Sequence, residues 1–390
     1  MPLSFSDWTS MNKIYLDYAA ATPLDARVLK AMEPYFFENF YNPSATYLVA
    51  RGVRKDLEQA RGKVAQCLGA QPAEIIFTSG ATEANNLAIR GVAEAYPDKE
   101  ILISAIEHES ILAPAAYAKA KVIPVDEHGI LKLDWLAKNI SSRTVLVSIM
   151  LVNNELGTVQ PLRAASELIA EERKTRSGSG NKTPIYLHTD AAQAANFLDL
   201  HVSRLNVDLM SINGGKIYGP KQSGLLYKRV EVELAPQILG GGQEFGFRSG
   251  TENVPGVIGL AEALQIAQNE RISESDRTRK LLQKLESGIS GIYKIALING
   301  SNKHRAPHIL SVTFDSLDNE RLMIELDERG IAVAVGSACS ASNDEPSHVL
   351  AAIGLSIEQS RSTLRFSLGR QTTEADIATT LKVLGDLLSA

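Results

Sequence analysis

L-H-T-D-A-A-Q at 187–193 and S-I-N-G-G-K-I-Y-G-P at 211–220 are the stretches whose reading decides the fold of this 390-residue chain. The apolar run at 185–187 leads to Asp190. A second run, 207–212, leads through a Gly pair to Lys216. Each run is short enough for a buried strand, and each delivers a charged side chain where the strand stops. Outward from them, residues 74–78, 101–104, a segment near Val122 and 144–150 read as further strands. Helical spacing separates them. It is clearest over 44–69, where Leu48, Val53, Leu57, Ala60, Val64 and Leu68 form one stripe with Cys67 packed beside it. Further helices are expected from about Gly80, from about Glu109 and from Pro161. Such alternation predicts an α/β fold with a mainly parallel sheet covered by helices. The polar stretch 172–183, E-R-K-T-R-S-G-S-G-N-K-T, reads as an exposed loop.

The pattern changes after about residue 262. An amphipathic helix is expected over 263–290, then shorter strands at 309–314, 331–335 and 363–367, then a closing helix from about Thr373. The expected division is a large domain over 12–262 and a smaller α/β domain over 263–390 that also takes segment 1–11.

Composition narrows the function. A hydrophobic content of 44% supplies ample core, and the length exceeds one typical core. The net charge of −5 offers no general attraction to nucleic acid or to an anionic membrane. Two cysteines cannot form a secreted disulfide framework. No apolar stretch approaches the roughly 18 residues that would span a bilayer. The N-terminus lacks a cationic region followed by an apolar one. The expectation is a soluble cytoplasmic protein with no direct nucleic-acid or membrane contact. The seven histidines are scattered, so no metal site is expected.

Asp190 and Lys216 at neighbouring strand ends suit pyridoxal phosphate (PLP). That cofactor needs a lysine amine for a Schiff base and a carboxylate to keep its pyridine nitrogen protonated. On these two residues alone, a surface lysine and a helix-capping aspartate would read the same way. Three more strand ends add polar groups. F-T-S-G-A-T-E at 77–83 can aim the N–H groups of Gly80, Ala81 and Thr82 at an anion. His108 follows the strand near 101–104, and Asn154 in V-N-N-E-L-G follows 144–150. Five such ends exceed what capping explains. The glycine-rich 240–251 segment closes on Arg248 and Thr251, which suits approach to a phosphate or another subunit. Cys339, in V-G-S-A-C-S-A-S, has no apolar stripe to bury it and reads as a reactive thiol. Arg365, in R-F-S-L-G-R, can hold a carboxylate through two parallel hydrogen bonds.

Together these motifs resemble the cysteine desulfurases of the class V, fold-type I PLP enzymes. The resemblance runs from Y-L-D-Y-A-A-A-T-P at 15–23 to R-F-S-L-G-R, and includes N-N-E-x-G, D-A-A-Q, K-I-Y-G-P-K, R-S-G-T and G-S-A-C-S-A-S. The G-S-A-C-S form looks like the group serving iron–sulfur cluster assembly and tRNA thiolation. The resemblance implies a fold-type I PLP-dependent transferase acting as a homodimer on L-cysteine. Lys216 would bind PLP, and Asp190 would pair with the pyridine nitrogen. Gln193 and Asn154 would bond the ring hydroxyl. His108 would stack on the ring and help move protons. Thr82, the Ala81 backbone and the neighbouring subunit's Thr251 would bind phosphate. Arg365 and Asn154 would hold the substrate carboxylate. Cys339 would take the sulfur as a persulfide for an acceptor protein, either an iron–sulfur scaffold or a sulfurtransferase.

The chain departs from the family pattern at three places. Gly215 stands where histidine usually precedes the lysine, and Asn213 where serine or threonine is usual. A phosphate clamp of backbone N–H groups and Asn213 is expected instead. Leu48 replaces the histidine that usually ends the N-P-S segment. The chain also stops at Ala390, where some members continue into a scaffold-docking tail. Other readings on the same scaffold are a selenocysteine lyase and an aminotransferase, though the latter has no use for Cys339. A catalytically degenerate PLP scaffold is favoured only by Gly215.

Overall fold

Fully buried strands need both faces covered, and the sequence supplies them in the middle of the chain. The computed structural model describes residues 14–336 and 346–388. Its central sheet has seven strands: β1 (Ile75–Thr78), β2 (Glu100–Ser104), β3 (Lys121–Ile123), β4 (Thr144–Ser148), β5 (Tyr186–Asp190), β6 (Leu209–Asn213) and β7 (Gly224–Lys228). Their spatial order is β1-β7-β6-β5-β4-β2-β3. The pairs β6–β5, β5–β4, β4–β2 and β2–β3 are parallel, while β7 runs antiparallel to both β6 and β1. Reversing direction twice leaves β1 parallel in sense to β6. The carboxyl ends of β1, β2, β4, β5 and β6 therefore share one edge of the sheet, where α/β folds bind ligands.

Successive strand residues face opposite sides. Leu187 and Met210 join the apolar cluster under helices α1 (Leu48–Leu68) and α5 (Val254–Ile292). Their neighbours Tyr186 and Leu209 join the cluster on the other face, beneath α2 (Ala81–Ala95) and α3 (Glu109–Tyr117). Within α1, Val53, Leu57, Ala60, Val64 and Leu68 are buried as their spacing predicts. Leu48, at the first turn, is instead 76% exposed, because α1 reaches the sheet only further along. Cys67 packs partly buried against the main cluster, and burial pushes its thiol above the ordinary range.

The expected loop at 172–183 is corrected. Helix α4 runs Leu162–Ser179 and ends on Gly180, whose φ of 74° closes the last turn. Lys174, Thr175, Ser177 and Ser179 face solvent, but two of its arginines turn inward. Arg176 is buried and donates to the carbonyls of Ser141 (2.6 Å), Thr183 (3.0 Å) and Pro184 (2.9 Å). Arg173 bonds the Ile185 carbonyl and the Asp208 carboxylate. These side chains tie the helix to the sheet's far end, so tertiary partners outweigh the composition of the stretch.

Beyond the sheet, strands Leu297–Asn299, Ile309–Thr313 and Thr363–Ser367 form an antiparallel sheet with its own apolar cluster, including Leu310, Phe314, Phe366 and Leu384. Only Ile331–Ala332 of the expected 331–335 strand is regular. It pairs in parallel with Ile14–Tyr15, and Ala334 bridges to Arg365. Helix α5 is a single run of 39 residues that starts nine positions earlier than expected, with Asn253 accepting from the Gly256 N–H as its cap. The expected division at 262/263 falls inside this helix. Segment 1–11 lies outside the described residues.

Candidate active site

Asp190 ends β5, and β6 leads into a short 3₁₀ turn, Gly214–Lys216. A side chain at Gly214 would place its Cβ 2.1 Å from Ser223 Oγ, so glycine is required there. Gly215 is different. Its φ is not positive, and a Cβ would come no closer than 3.6 Å to any neighbour, in ordinary contact with Asn213 Oδ1 and Lys221. The lysine turn is clamped by the 15–23 segment. Thr22 donates from both its N–H (3.2 Å) and its hydroxyl (3.1 Å) to the Gly215 carbonyl, and the same hydroxyl accepts from the Tyr218 N–H at 2.8 Å. Tyr218 holds a left-handed φ of 62°, the kind of strain that clusters at functional sites. Lys216 Nζ donates to the carbonyls of Ala19 (2.9 Å) and Ala20 (2.5 Å).

These groups converge on one cavity of about 180 Å³. Lys216, Asp190, His108, Asn154, Gln193, Asn213, Ala81, Thr82 and Arg365 all line it. Sequence reasoning therefore assembled nine of its expected site residues in one place. Thr251 is not among the lining residues. It is exposed and borders a separate pocket with Thr78, Ser79 and Arg248. Cys339 lies outside the described residues.

Four of the lining groups, Asp190, Gln193, His108 and Asn213, are held by hydrogen bonds. The Asp190 carboxylate accepts from the Ala192 N–H (2.8 Å) and from Asn85 Nδ2 (2.7 Å). Gln193 donates to the Ala19 carbonyl at 2.8 Å. His108 caps α3, its Nδ1 accepting from the Ser110 N–H at 3.1 Å. The first turn of α2 has no side-chain cap, which leaves its N–H groups and dipole for an anion. Asn213 Oδ1 accepts the Gly215 N–H at 3.1 Å. That N–H is thus spent within the turn, and the expected backbone clamp loses a donor.

Arg365 is buried. It donates to the Asn154 carbonyl (3.0 Å) and the Asp17 carboxylate (2.6 Å), while its Nε has no partner among the described residues. Its backbone pairs with Ala334 in both directions, at 2.7 and 3.1 Å. Glu155, next to Asn154, is buried and accepts from the Ser347 hydroxyl at 2.6 Å. Burial pushes its carboxyl up, although the Ser347 bond and the Arg365 charge pull it down. A Cβ on Gly336 would lie 3.7 Å from the same carboxylate and 3.8 Å from Ser347 Cβ. Residues 336 and 347 therefore meet beside the cavity, on Glu155.

Sequence reasoning missed Asn85, Ser110, Glu107, Glu155 and Asp17. Asn85 had a readable signal, being a polar residue on the buried stripe that Ala81, Ala84 and Ala88 mark on α2. Glu107 is fully buried, with its Oε1 accepting from the Met150 N–H at 2.6 Å, and burial pushes its carboxyl well up.

A family profile described as aminotransferase class-V matches residues 14–379. A cysteine desulfurase IscS from Dictyoglomus turgidum is 41% identical over 383 residues, which is 95% of this chain and 93% of that protein. A cysteine desulfurase IscS 1 from Archaeoglobus fulgidus is 39% identical, with 95% of each chain covered. Among solved structures, a NifS-like protein superposes with a TM-score of 0.88 at 34% identity, over 97% of this chain and 99% of its own. A structure described as SspA in complex with cysteine gives 0.78 at 36% identity, over 91% and 98%.

Proposed function

The chain belongs to the aminotransferase class-V family, and from that premise we propose that it is a PLP-dependent cysteine desulfurase. The observation that carries the reading is the single cavity lined by Lys216, Asp190, His108 and Arg365. The residues fit PLP. They offer an amine, a carboxylate at a neighbouring strand end and the uncapped N-terminus of α2, suited in turn to an aldehyde, a pyridine nitrogen and a phosphate. When bound, PLP supplies an electron sink for charge developing at the substrate Cα.

The chain's own residues do the rest. Lys216 would bind the cofactor and move the proton at Cα. Asp190 would hold the pyridine nitrogen, and Gln193 and Asn154 the ring hydroxyl. His108 would serve the ring and help move protons. Thr82, the Ala81 N–H and Asn213 would hold the phosphate. Arg365, with Asn154, grips the L-cysteine carboxylate. The Cys339 thiolate forms an S–S bond to the substrate sulfur as the Cβ–S bond breaks. That electron pair stays with carbon, which takes a proton to give alanine. Gly336, the last described residue before Cys339, sits beside the cavity on Glu155. The persulfide then passes to an acceptor protein, an iron–sulfur scaffold or a tRNA sulfurtransferase, in the cytoplasm. No described helix is long and apolar enough to cross a membrane.

A homodimer completes the site. Phe36, Phe37, Phe40, Tyr47 and Leu48 form an exposed apolar run, each at least half exposed, and such clusters mark contact surfaces. Thr251, which lines a separate pocket and not the cavity of its own chain, is the residue a neighbour would lend to the phosphate.

The purified protein with PLP should convert L-cysteine to alanine, with a persulfide trapped on Cys339. The Cys339→Ala variant should release no sulfide. Absence of alanine from the wild type would overturn the reading. Gly215 gives a second test. Its open surroundings admit a side chain, so Gly215→His should add a phosphate contact and slow PLP dissociation about tenfold, as a charge-assisted hydrogen bond would. Unchanged dissociation would show that this position never faces the phosphate.

A further inference from the structure

Two residues outside the expected site connect its two halves. Asn85 is fully buried on α2. Its Nδ2 lies 2.7 Å from Asp190 Oδ2 and 2.8 Å from Ser110 Oγ. Ser110 Oγ in turn lies 2.9 Å from His108 Nδ1, and the Ser110 N–H reaches the same nitrogen at 3.1 Å. A continuous chain, Asp190–Asn85–Ser110–His108, thus joins the carboxylate at the end of β5 to the imidazole at the start of α3.

The donors in this chain can be ordered from chemistry alone. A carboxylate only accepts, so Asn85 must present its NH₂ to Asp190; the reversed amide would set two oxygens 2.7 Å apart. The same NH₂ then donates its other hydrogen to Ser110 Oγ. Ser110 has one hydroxyl proton, and the acceptor left for it is His108 Nδ1. That nitrogen also receives the Ser110 backbone N–H, which cannot reverse. Nδ1 therefore accepts, and the proton of the neutral ring sits on Nε2.

We propose that Asn85 and Ser110 are positioning residues that transmit the orientation of Asp190 to His108, fixing the neutral imidazole as its Nε2–H tautomer. His108 lines the cavity, so this tautomer decides which ring nitrogen can donate a proton there. The inference deepens the proposed function and rests on it for the use made of that proton. The tautomer itself is a property of the chain, readable without turnover.

The test is long-range proton–nitrogen NMR on protein labelled at histidine nitrogens, with His108 assigned by substitution, at mildly alkaline pH. In the wild type, Nδ1 should resonate as an unprotonated nitrogen and Nε2 as a protonated one. Ser110→Ala removes the hydroxyl donor and should shift the tautomer ratio roughly fivefold towards Nδ1–H. Ser110→Thr should restore it. Asn85→Asp is the decisive variant, because among the described residues the hydrogen bonds of Asn85 lead to His108 through Ser110. An aspartate oxygen there accepts from the Ser110 hydroxyl in either protonation state and turns it away from the ring. The His108 tautomer should then move as far as in Ser110→Ala. A wild-type ring protonated on Nδ1 would overturn the proposal. So would an Asn85→Asp ring unchanged beside a shifted Ser110→Ala ring. If desulfurase activity is absent but the tautomer behaves as stated, the functional reading fails and the relay stands.

Discussion

Lys216→Ala should lower alanine formation from L-cysteine at least about 1000-fold while leaving the fold intact. The size follows from two functions lost together: covalent attachment of PLP and proton transfer at Cα, of which acid–base catalysis alone contributes about 10²–10⁴-fold. The intact fold follows from the lysine's surroundings. Among the described residues its amine donates to the carbonyls of Ala19 and Ala20, in a segment that Thr22 pins independently to Gly215 and Tyr218. Turnover by alanine release and a thermal melt by circular dichroism check both halves. Borohydride reduction followed by peptide mapping should label residue 216 in the wild type alone. Activity within tenfold of wild type in the variant would remove Lys216 from the mechanism.

Arg61→Ala should be the most destabilising single change, by about 3–5 kcal/mol, because it breaks a buried ion pair from one side. Arg61 and Glu244 have side chains only 2% and 4% exposed and share two 2.8 Å hydrogen bonds. Arg61 also donates to the Ile75 carbonyl at 2.7 Å, and its guanidinium carbon lies 4.7 Å from the Phe77 ring centre and 5.0 Å from that of Phe245. Glu244 Oε2 accepts the Phe77 N–H at 2.7 Å. The pair pins the glycine-rich 240–251 segment to β1 where Glu244 and Phe245 both hold left-handed backbone, with φ of 47° and 58°. Removing the arginine strands a carboxylate and a carbonyl in the interior and leaves that strained turn unsupported. The melting temperature should fall by several degrees at a fixed scan rate. The double variant Arg61→Met, Glu244→Leu should recover part of the loss, because it leaves no lone charge. A melt for Arg61→Ala within a degree of wild type would show the pair to be dispensable.

Six of the seven central strands, their mainly parallel pairing and most of the cavity lining were legible in the sequence because each rests on a local signal, whereas the antiparallel β7 and the short strands at 14–15 and 297–299 were not read. A short apolar run ending in a charged residue marks β5 and β6 wherever they pair. Arg176 was not legible. Its partners are the carbonyls of residues 141, 183 and 184, and a polar string looks the same whether it faces water or caps a sheet. Ser110 escaped for a related reason, since a lone hydroxyl carries no motif until His108 and Asn85 are brought beside it, whereas Asn85 was readable as a polar residue on a buried stripe and was passed over. Glu244 gives no sign in the sequence that its partner lies 183 positions away.

The long helix α5 has a practical consequence. Its first half contributes Val257, Leu260, Leu264 and Ile266 to the main cluster, and its second half contributes Leu281, Leu282, Leu285 and Ile289 to the other. Severing the chain at 262/263 would give two fragments, each carrying a bare greasy stripe whose complement left with the other piece. Dissection of this enzyme by truncation would report on aggregation of the pieces, and point substitutions in the intact polypeptide are the route to its parts.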